Sequence, residues 1–137
     1  MIKVIYGPKG SGKTKKLIDA TNDSLHHAKG AVIYIDKDYS RIHDLEREVR
    51  LINAFDYDIA TQTAFLAFVK GMLATNSDIE YVYIDGLAKI VHEALDNMQE
   101  VYDGLTDISE KYKIHIVLTA SAELEALPPF VKAHINK

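Results

Sequence analysis

The sequence contains no cysteine among its 137 residues, and its six histidines show no regular spacing. Disulfide bonds and thiolate metal sites are therefore excluded, and a histidine metal centre is not expected. Long apolar runs are also missing. The N-terminal run, residues 2–6, is too short for a signal-peptide core, and no later segment reaches the roughly 18–20 apolar residues of a membrane span. We therefore expect a cytoplasmic protein with no membrane span.

Net charge and chain length restrict the expected partners and the number of domains. The formal net charge is −4, which argues against a general affinity for nucleic acid, so a nucleic-acid partner is not expected. A chain of this length suits one domain, residues 1–137. The hydrophobic content of 47% is enough for one buried core.

Apolar runs and helical patterns alternate along the whole chain. The predicted strands are residues 2–6, 31–36, 49–53, 80–85 and 114–119. The predicted helices are residues 13–29 before a capping Gly30, about 40–47 with Ser40 as N-cap, 61–74, 91–112, and two short pieces within 122–137 that Pro128-Pro129 separates. Strands that are apolar throughout are typical of a parallel sheet covered on both faces. The pattern predicts an α/β fold with three layers and a five-stranded, mainly parallel sheet.

One segment, which we call the glycine loop, carries a specific motif. Residues 7–14 match the pattern G-x-x-x-x-G-K-[ST] at every fixed position. Its glycines let successive N–H groups meet closely spaced phosphate oxygens, and the helix that follows adds the positive end of its dipole. Lys13 is expected to reach the β- and γ-phosphates, and Thr14 to ligate Mg²⁺. The pattern predicts that ATP or GTP binds with Mg²⁺ at Gly7, Pro8, Lys9, Gly10, Ser11, Gly12, Lys13 and Thr14.

Asp85 closes the fourth apolar run and is the predicted second ligand of Mg²⁺. This ion usually takes one or two carboxylates beside phosphates and waters. A simple turn-capping role before Gly86 stays open as the alternative. Many ATPases carry a glutamate directly after this aspartate to activate water, and here the position is Gly86. Asp38, just after the second strand, is the best substitute, with a surface turn residue as its alternative interpretation.

The order of these features resembles the RecA-like branch of P-loop ATPases. The glycine loop, an acidic end of the second strand at Asp36 and Asp38, a weaker third strand and a strand ending in Asp85 follow in the same sequence. The resemblance covers residues 1–121. It implies the strand order 3-2-4-5-1, a water-activating role for Asp38, and polar sensor positions beside the γ-phosphate at Thr119 and Ser121.

The chain also departs from that branch. Asp38 stands where a glutamate is expected, and none of the three arginines, Arg41, Arg47 and Arg50, is a candidate arginine finger. The DNA-binding loops that follow the fifth strand in RecA proteins have no counterpart, so DNA binding is not implied. The chain is also similar to small bacterial ATP-binding proteins that sometimes carry a twitching-motility ATPase label, although it has no room for the extra domain of those motors.

The leading prediction is a minimal RecA-like domain that binds ATP or GTP with Mg²⁺. Slow hydrolysis, with Asp38 positioning water and Lys13 stabilising charge, would then serve as a switch or depend on an unknown protein partner. One alternative is a small-molecule kinase, in which the loop strand and the Asp85 strand would be direct neighbours. The other is a nucleotide sensor that does not hydrolyse, which Gly86 favours. The base preference is not readable from the sequence.

Overall fold

A computed structural model of the chain describes residues 1–135, and they form one five-stranded sheet. The strands are β1 (Ile2–Gly7), β2 (Ala31–Asp36), β3 (Arg50–Asn53), β4 (Ile79–Ile84) and β5 (His115–Ser121). They are ordered β1-β5-β4-β2-β3, and every neighbouring pair is parallel. The α/β class and the five-stranded sheet are confirmed, and the sheet is wholly rather than mainly parallel.

Helices connect the strands and cover the sheet. They are α1 (Lys13–Ser24), α2 (Gln62–Thr75), α3 (Leu87–Val91), α4 (Gln99–Tyr112) and α5 (Pro129–Lys132). Single 3-10 turns occur at Ile42–Asp44, Ala54–Tyr57, Leu95–Asn97 and Leu124–Ala126. Within the described part of the chain, no helix is both long and apolar enough to cross a membrane.

Two buried clusters lie on opposite faces of the sheet, and β2 contributes to both. Val32 and Tyr34 pack with Leu17 of α1 on one face. Ile33 and Ile35 belong to the larger cluster on the other face, which the remaining helices cover. Successive side chains of a strand point to opposite faces, so a strand buried on both sides is apolar throughout. The helix–sheet–helix layering follows from that pattern.

The predicted long helix over residues 91–112 was wrong. The chain instead ends α3 at Val91, places His92 in the left-handed region with φ 57°, and begins α4 at Gln99. The break is stabilised from α2, because the Gln62 side chain donates to the Asn97 carbonyl (2.8 Å) and accepts the Val101 N–H (2.9 Å). The spacing of apolar residues within one segment cannot predict a hydrogen bond from a distant helix, so the break was not expected.

Two other helix predictions were too long. α1 ends at Ser24 rather than near Lys29, since the Ser24 hydroxyl donates to the Thr21 carbonyl and the Ser24 carbonyl accepts from Ala28 in a closing turn. The helix expected over residues 40–47 is reduced to one 3-10 turn. In the tail, Pro128 precedes α5 and Pro129 begins it, as a helix start favours. The rest of the predicted tail, Asn136 and Lys137, lies outside the described residues.

Gly30 has a different role from the helix cap that its position suggested. The Ala31 N–H donates to the Asp78 carbonyl at 2.7 Å, and a Cβ on Gly30 would overlap that carbonyl oxygen. We expect Gly30→Ala to lower the free energy of unfolding by about 2 kcal/mol, measured by urea denaturation. Gly71→Ala in α2 is the matched control, because its Cβ meets no atom within 4 Å. Helix propensity should stabilise that control by about 0.5–1 kcal/mol. Equal stability of the two variants would contradict this interpretation.

Candidate functional site

The carboxyl ends of four neighbouring strands open into one cavity of about 800 Å³. The cavity lies between the glycine loop, the start of α1 and the segments that follow β2 and β4. Its lining includes Lys9, Gly10, Gly12, Lys13, Thr14, Asp36, Lys37, Asp38, Asp85, Gly86, Lys89, Thr119 and Ser121. Small-molecule sites in open α/β sheets typically lie at this edge and have volumes in this range.

The glycine loop joins β1 to α1 through a tight turn. Gly10 and Gly12 have φ values of 82° and 88°, in the left-handed region that glycine adopts without steric cost. The Ser11 N–H donates to the Pro8 carbonyl at 3.1 Å and closes the turn. At Gly7, an added Cβ would contact the Ser11 hydroxyl. The spacing of glycines in the motif therefore matches the backbone conformation of the loop.

The end of the loop leaves several backbone donors without protein acceptors. The N–H of Lys16 makes the first hydrogen bond into α1, to the Gly12 carbonyl at 3.1 Å. Within the described residues, the N–H groups of Gly12, Lys13 and Thr14 donate to no acceptor, and Gly12 offers no side-chain cap. Unpaired amides and the positive end of a helix dipole together favour an anion at this position.

Lys13 lies inside the loop rather than in solvent. Its side chain is buried, with 9% of the residue exposed, and its ammonium donates to the Pro8 carbonyl at 3.0 Å. This hydrogen bond holds the charge within the loop and beside the cavity that Lys13 lines. A buried ammonium with a single neutral partner attracts an anion strongly.

Asp85 is the centre of a hydrogen-bond network that joins distant parts of the chain. One of its oxygens accepts from the Thr14 hydroxyl at 2.9 Å, across 71 positions of sequence. The other oxygen accepts from the Thr119 hydroxyl at 2.8 Å, and Thr119 accepts the Gly86 N–H at 3.3 Å. Two residues predicted separately from the sequence, Thr14 at the start of α1 and Thr119 at the end of β5, therefore both contact the predicted Asp85 that follows β4.

Neither a scan against protein-family models nor a search of curated proteins finds a match for this chain.

Tyr34 is a member of this network that its sequence pattern did not reveal. Its place in an apolar strand is typical of a core aromatic, and it is fully buried, but its hydroxyl also lies 3.4 Å from Asp85 Oδ2. Burial, reinforced by the negative charge of Asp85, raises the pKa of Tyr34 well above its usual value. The phenol therefore stays protonated and available as a donor. Its position two residues before Asp36 in a strand that ends at the site is the only sequence signal for this role.

Asp36 and Asp38 both line the cavity but lie in different environments. Asp36 is 5% exposed and accepts the Lys37 N–H at 2.7 Å. Burial raises the pKa of Asp36 to about 6; the hydrogen bond from Lys37 opposes this shift, and the negative charge of Asp85 adds to it. Asp38 is only partly buried and accepts the Ser40 N–H at 2.9 Å, and its hydrogen bonds with Ser40 lower its pKa. The predicted N-cap Ser40 is thus a partner of Asp38 in a turn.

The raised pKa of Asp36 predicts a pH-dependent stability. Between a pH of about 4 and about 6 the folded protein keeps a proton that the unfolded chain releases, so the free energy of unfolding falls as the pH rises through this window. Asp36→Asn cannot ionise. The unfolding free energy of the variant minus that of wild type should therefore increase by about 2–3 kcal/mol from pH ~4 to pH ~7. Urea denaturation at a series of pH values measures this difference in unfolding free energy. If the difference does not change with pH, the burial of the Asp36 carboxyl group is contradicted.

Proposed function

We propose that this protein binds a nucleoside triphosphate together with Mg²⁺ in the cavity beside the glycine loop. The observation that carries the proposal is the 2.9 Å hydrogen bond from Thr14 to Asp85. Thr14 follows the loop lysine, and Asp85 ends a buried strand elsewhere in the chain. A hydroxyl and a carboxylate that meet next to unpaired amides form the protein side of a metal–phosphate site.

The triphosphate would be held by the glycine loop. The amides of Gly12, Lys13 and Thr14 suit the oxygens of the inner phosphates, and the start of α1 adds its dipole. The Lys13 ammonium donates a hydrogen bond to the Pro8 carbonyl. On nucleotide binding it would donate to the β- and γ-phosphates instead. A charged partner makes a stronger hydrogen bond than a carbonyl, so the exchange favours bound nucleotide.

The donor set beside the loop fits Mg²⁺. Thr14 and Asp85 offer oxygen atoms only, which this hard cation prefers, and they contribute few ligands, which leaves room for phosphates and waters. Within residues 1–135, no group of three or more His, Cys, Asp or Glu side chains could hold a metal on its own. The phosphates of a bound nucleotide would supply further oxygen ligands. When bound, Mg²⁺ neutralises charge on the phosphates.

The strand arrangement supports a RecA-like rather than a kinase-like domain. Read from β3, the order is 3-2-4-5-1, and β5 lies between β1 and β4. In the kinase alternative the loop strand and the strand of Asp85 would be direct neighbours. The hydroxyl groups of Thr119 and Ser121 at the end of β5 line the cavity between those strands. We therefore favour a RecA-like nucleotide-binding domain.

Whether bound nucleotide is turned over depends on a water-orienting group. Gly86 follows Asp85, so the candidate is Asp38, which lines the same cavity. If the protein hydrolyses nucleotide, Asp38→Ala should lower phosphate release by about 100-fold while changing the dissociation constant less than about threefold. Asp103→Ala, an exposed change on α4, is the control. Full turnover in Asp38→Ala would exclude this role, and tight binding by wild type without phosphate release would favour the sensor function.

An equilibrium titration tests the proposal itself. Fluorescently labelled ATP and GTP are each titrated into the protein with and without Mg²⁺, and inorganic triphosphate is used as a competitor. We expect saturable binding that Mg²⁺ strengthens and that inorganic triphosphate reverses, because the site recognises phosphates. Absence of binding to either nucleotide at millimolar concentration would overturn the proposal.

A further inference from the structure

Three lysines from different parts of the chain gather at the cavity, and we call them the lysine cluster: Lys9, Lys37 and Lys89. Lys9 belongs to the glycine loop, Lys37 follows β2, and Lys89 lies on α3. The positive charges of Lys37 and then Lys9 are the main causes that lower the pKa of the exposed Lys89 ammonium. All three residues line one cavity, and Lys37 and Lys89 follow β2 and β4, which are paired in the sheet, so their positive charges gather at one place.

No carboxylate of the described residues neutralises this cluster by direct pairing. The ion pairs within residues 1–135 are Lys15–Asp19, Arg41–Asp44 and Arg50–Asp78, and none includes a member of the cluster. Asp36, Asp38 and Asp85 also line the cavity and offset part of this charge, but the mutual repulsion of the three lysines still costs electrostatic free energy. An anion placed among them would remove this cost, so the arrangement is suited to a ligand with concentrated negative charge.

The position of the cluster indicates which part of a nucleotide it would meet. Lys89 lies on α3, which begins two residues after Asp85, and Lys37 follows β2, the neighbour of β4, so both lie on the Asp85 side of the cavity. Thr14 and Asp85 would hold Mg²⁺, which would neutralise charge on the outer phosphates of a bound triphosphate. The amides at the start of α1 serve the inner phosphates. The cluster is therefore on the side of the outermost phosphate.

We propose that Lys37 and Lys89, with Lys9 of the loop, bind the terminal phosphate and make the site selective for triphosphates over diphosphates. This inference rests on the proposed nucleotide binding. The positive charge that an arginine finger brings from a partner in other NTPases would here come from the same chain.

The first test compares triphosphate and diphosphate affinity in the double variant Lys37→Gln/Lys89→Gln. We expect ATP affinity to fall by about tenfold or more and ADP affinity by less than about threefold, because ADP lacks the phosphate that the cluster contacts. Lys70→Gln, an exposed change on α2 away from the cavity, should alter neither value. The double variant Lys37→Arg/Lys89→Arg should keep the preference for ATP, since it keeps the charge.

A second measurement needs no variant. Amine-reactive labelling with mass spectrometry should show that ATP with Mg²⁺ protects Lys37 and Lys89 more than ADP with Mg²⁺ does, while labelling of Lys70 stays constant. If wild type binds ATP but the Gln variant keeps its ATP-to-ADP ratio, or both nucleotides protect equally, the cluster has no such role. If wild type binds neither nucleotide, the proposed function itself fails.

Discussion

Replacement of Lys13 by alanine is expected to weaken binding of ATP with Mg²⁺ by about a hundredfold or more. The ammonium is buried inside the glycine loop with the Pro8 carbonyl as its hydrogen-bond partner. Alanine removes the one buried positive charge in the loop, and charge-assisted hydrogen bonds to phosphate are among the strongest that a side chain makes. A hundredfold loss corresponds to about 2.7 kcal/mol of binding free energy. Titration with labelled nucleotide measures the effect.

Lys16→Ala is the matched control for this prediction. Lys16 lies three residues further along α1 with an exposed side chain and does not line the cavity. It carries the same charge, so its removal changes the net charge by the same amount while sparing the loop. We expect its ATP affinity to stay within about threefold of wild type. Equal losses in the two variants would show that only general electrostatics had been measured, and binding that survives in Lys13→Ala would contradict the mechanism.

Replacement of Asp85 by asparagine is expected to remove the dependence of nucleotide affinity on Mg²⁺. The carboxylate accepts hydrogen bonds from Thr14 and Thr119 and is the only charged group in that network. Asparagine keeps the size of the side chain but loses the charge that a hard cation requires. If Mg²⁺ strengthens ATP binding to wild type, we expect the gain to shrink by about tenfold or more in the variant.

The measurement without Mg²⁺ separates this effect from misfolding. Asp85 would place a negative charge beside the bound phosphates, so its removal should leave metal-free ATP affinity unchanged or raise it. A misfolded variant would lose affinity under both conditions. Asp103→Asn removes the same charge from an exposed position on α4 and should keep the full response to Mg²⁺. An undiminished Mg²⁺ response in Asp85→Asn would exclude Asp85 as a metal ligand.

Much of the site was predictable because it follows from rules that act over short distances. The glycine motif specifies a turn between a strand and a helix, and the turn is found at Gly10 and Gly12 with positive φ. Parallel strands end at one edge of a sheet, so polar residues that follow apolar runs collect there. Asp85 was predicted from that pattern and Thr119 from the resemblance to RecA-like ATPases, and the Thr119 hydroxyl lies 2.8 Å from an Asp85 carboxylate oxygen.

What the sequence did not reveal depends on contacts between distant segments. The break before α4 is stabilised by Gln62 from another helix, so a continuous apolar stripe was misread as one long helix. The Asp38 carboxylate accepts the Ser40 N–H in a local turn, and this turn competes with the helix that was expected to begin at Ser40. Tyr34 stands in an apolar run that indicates only a core residue, but its hydroxyl lies within hydrogen-bond distance of Asp85. Lys37 and Lys89 line the same cavity because β2 pairs with β4, which spacing alone does not reveal.

The most direct test of the central claim observes the loop amides themselves. In an NMR titration of isotope-labelled protein with ATP and Mg²⁺, we expect the amide resonances of Gly12, Lys13 and Thr14 to shift most and to saturate together. Those N–H groups are the donors that the phosphate oxygens would take up. Amide resonances of the loop that stay unchanged at millimolar nucleotide, while the protein remains folded, would contradict phosphate binding at this site.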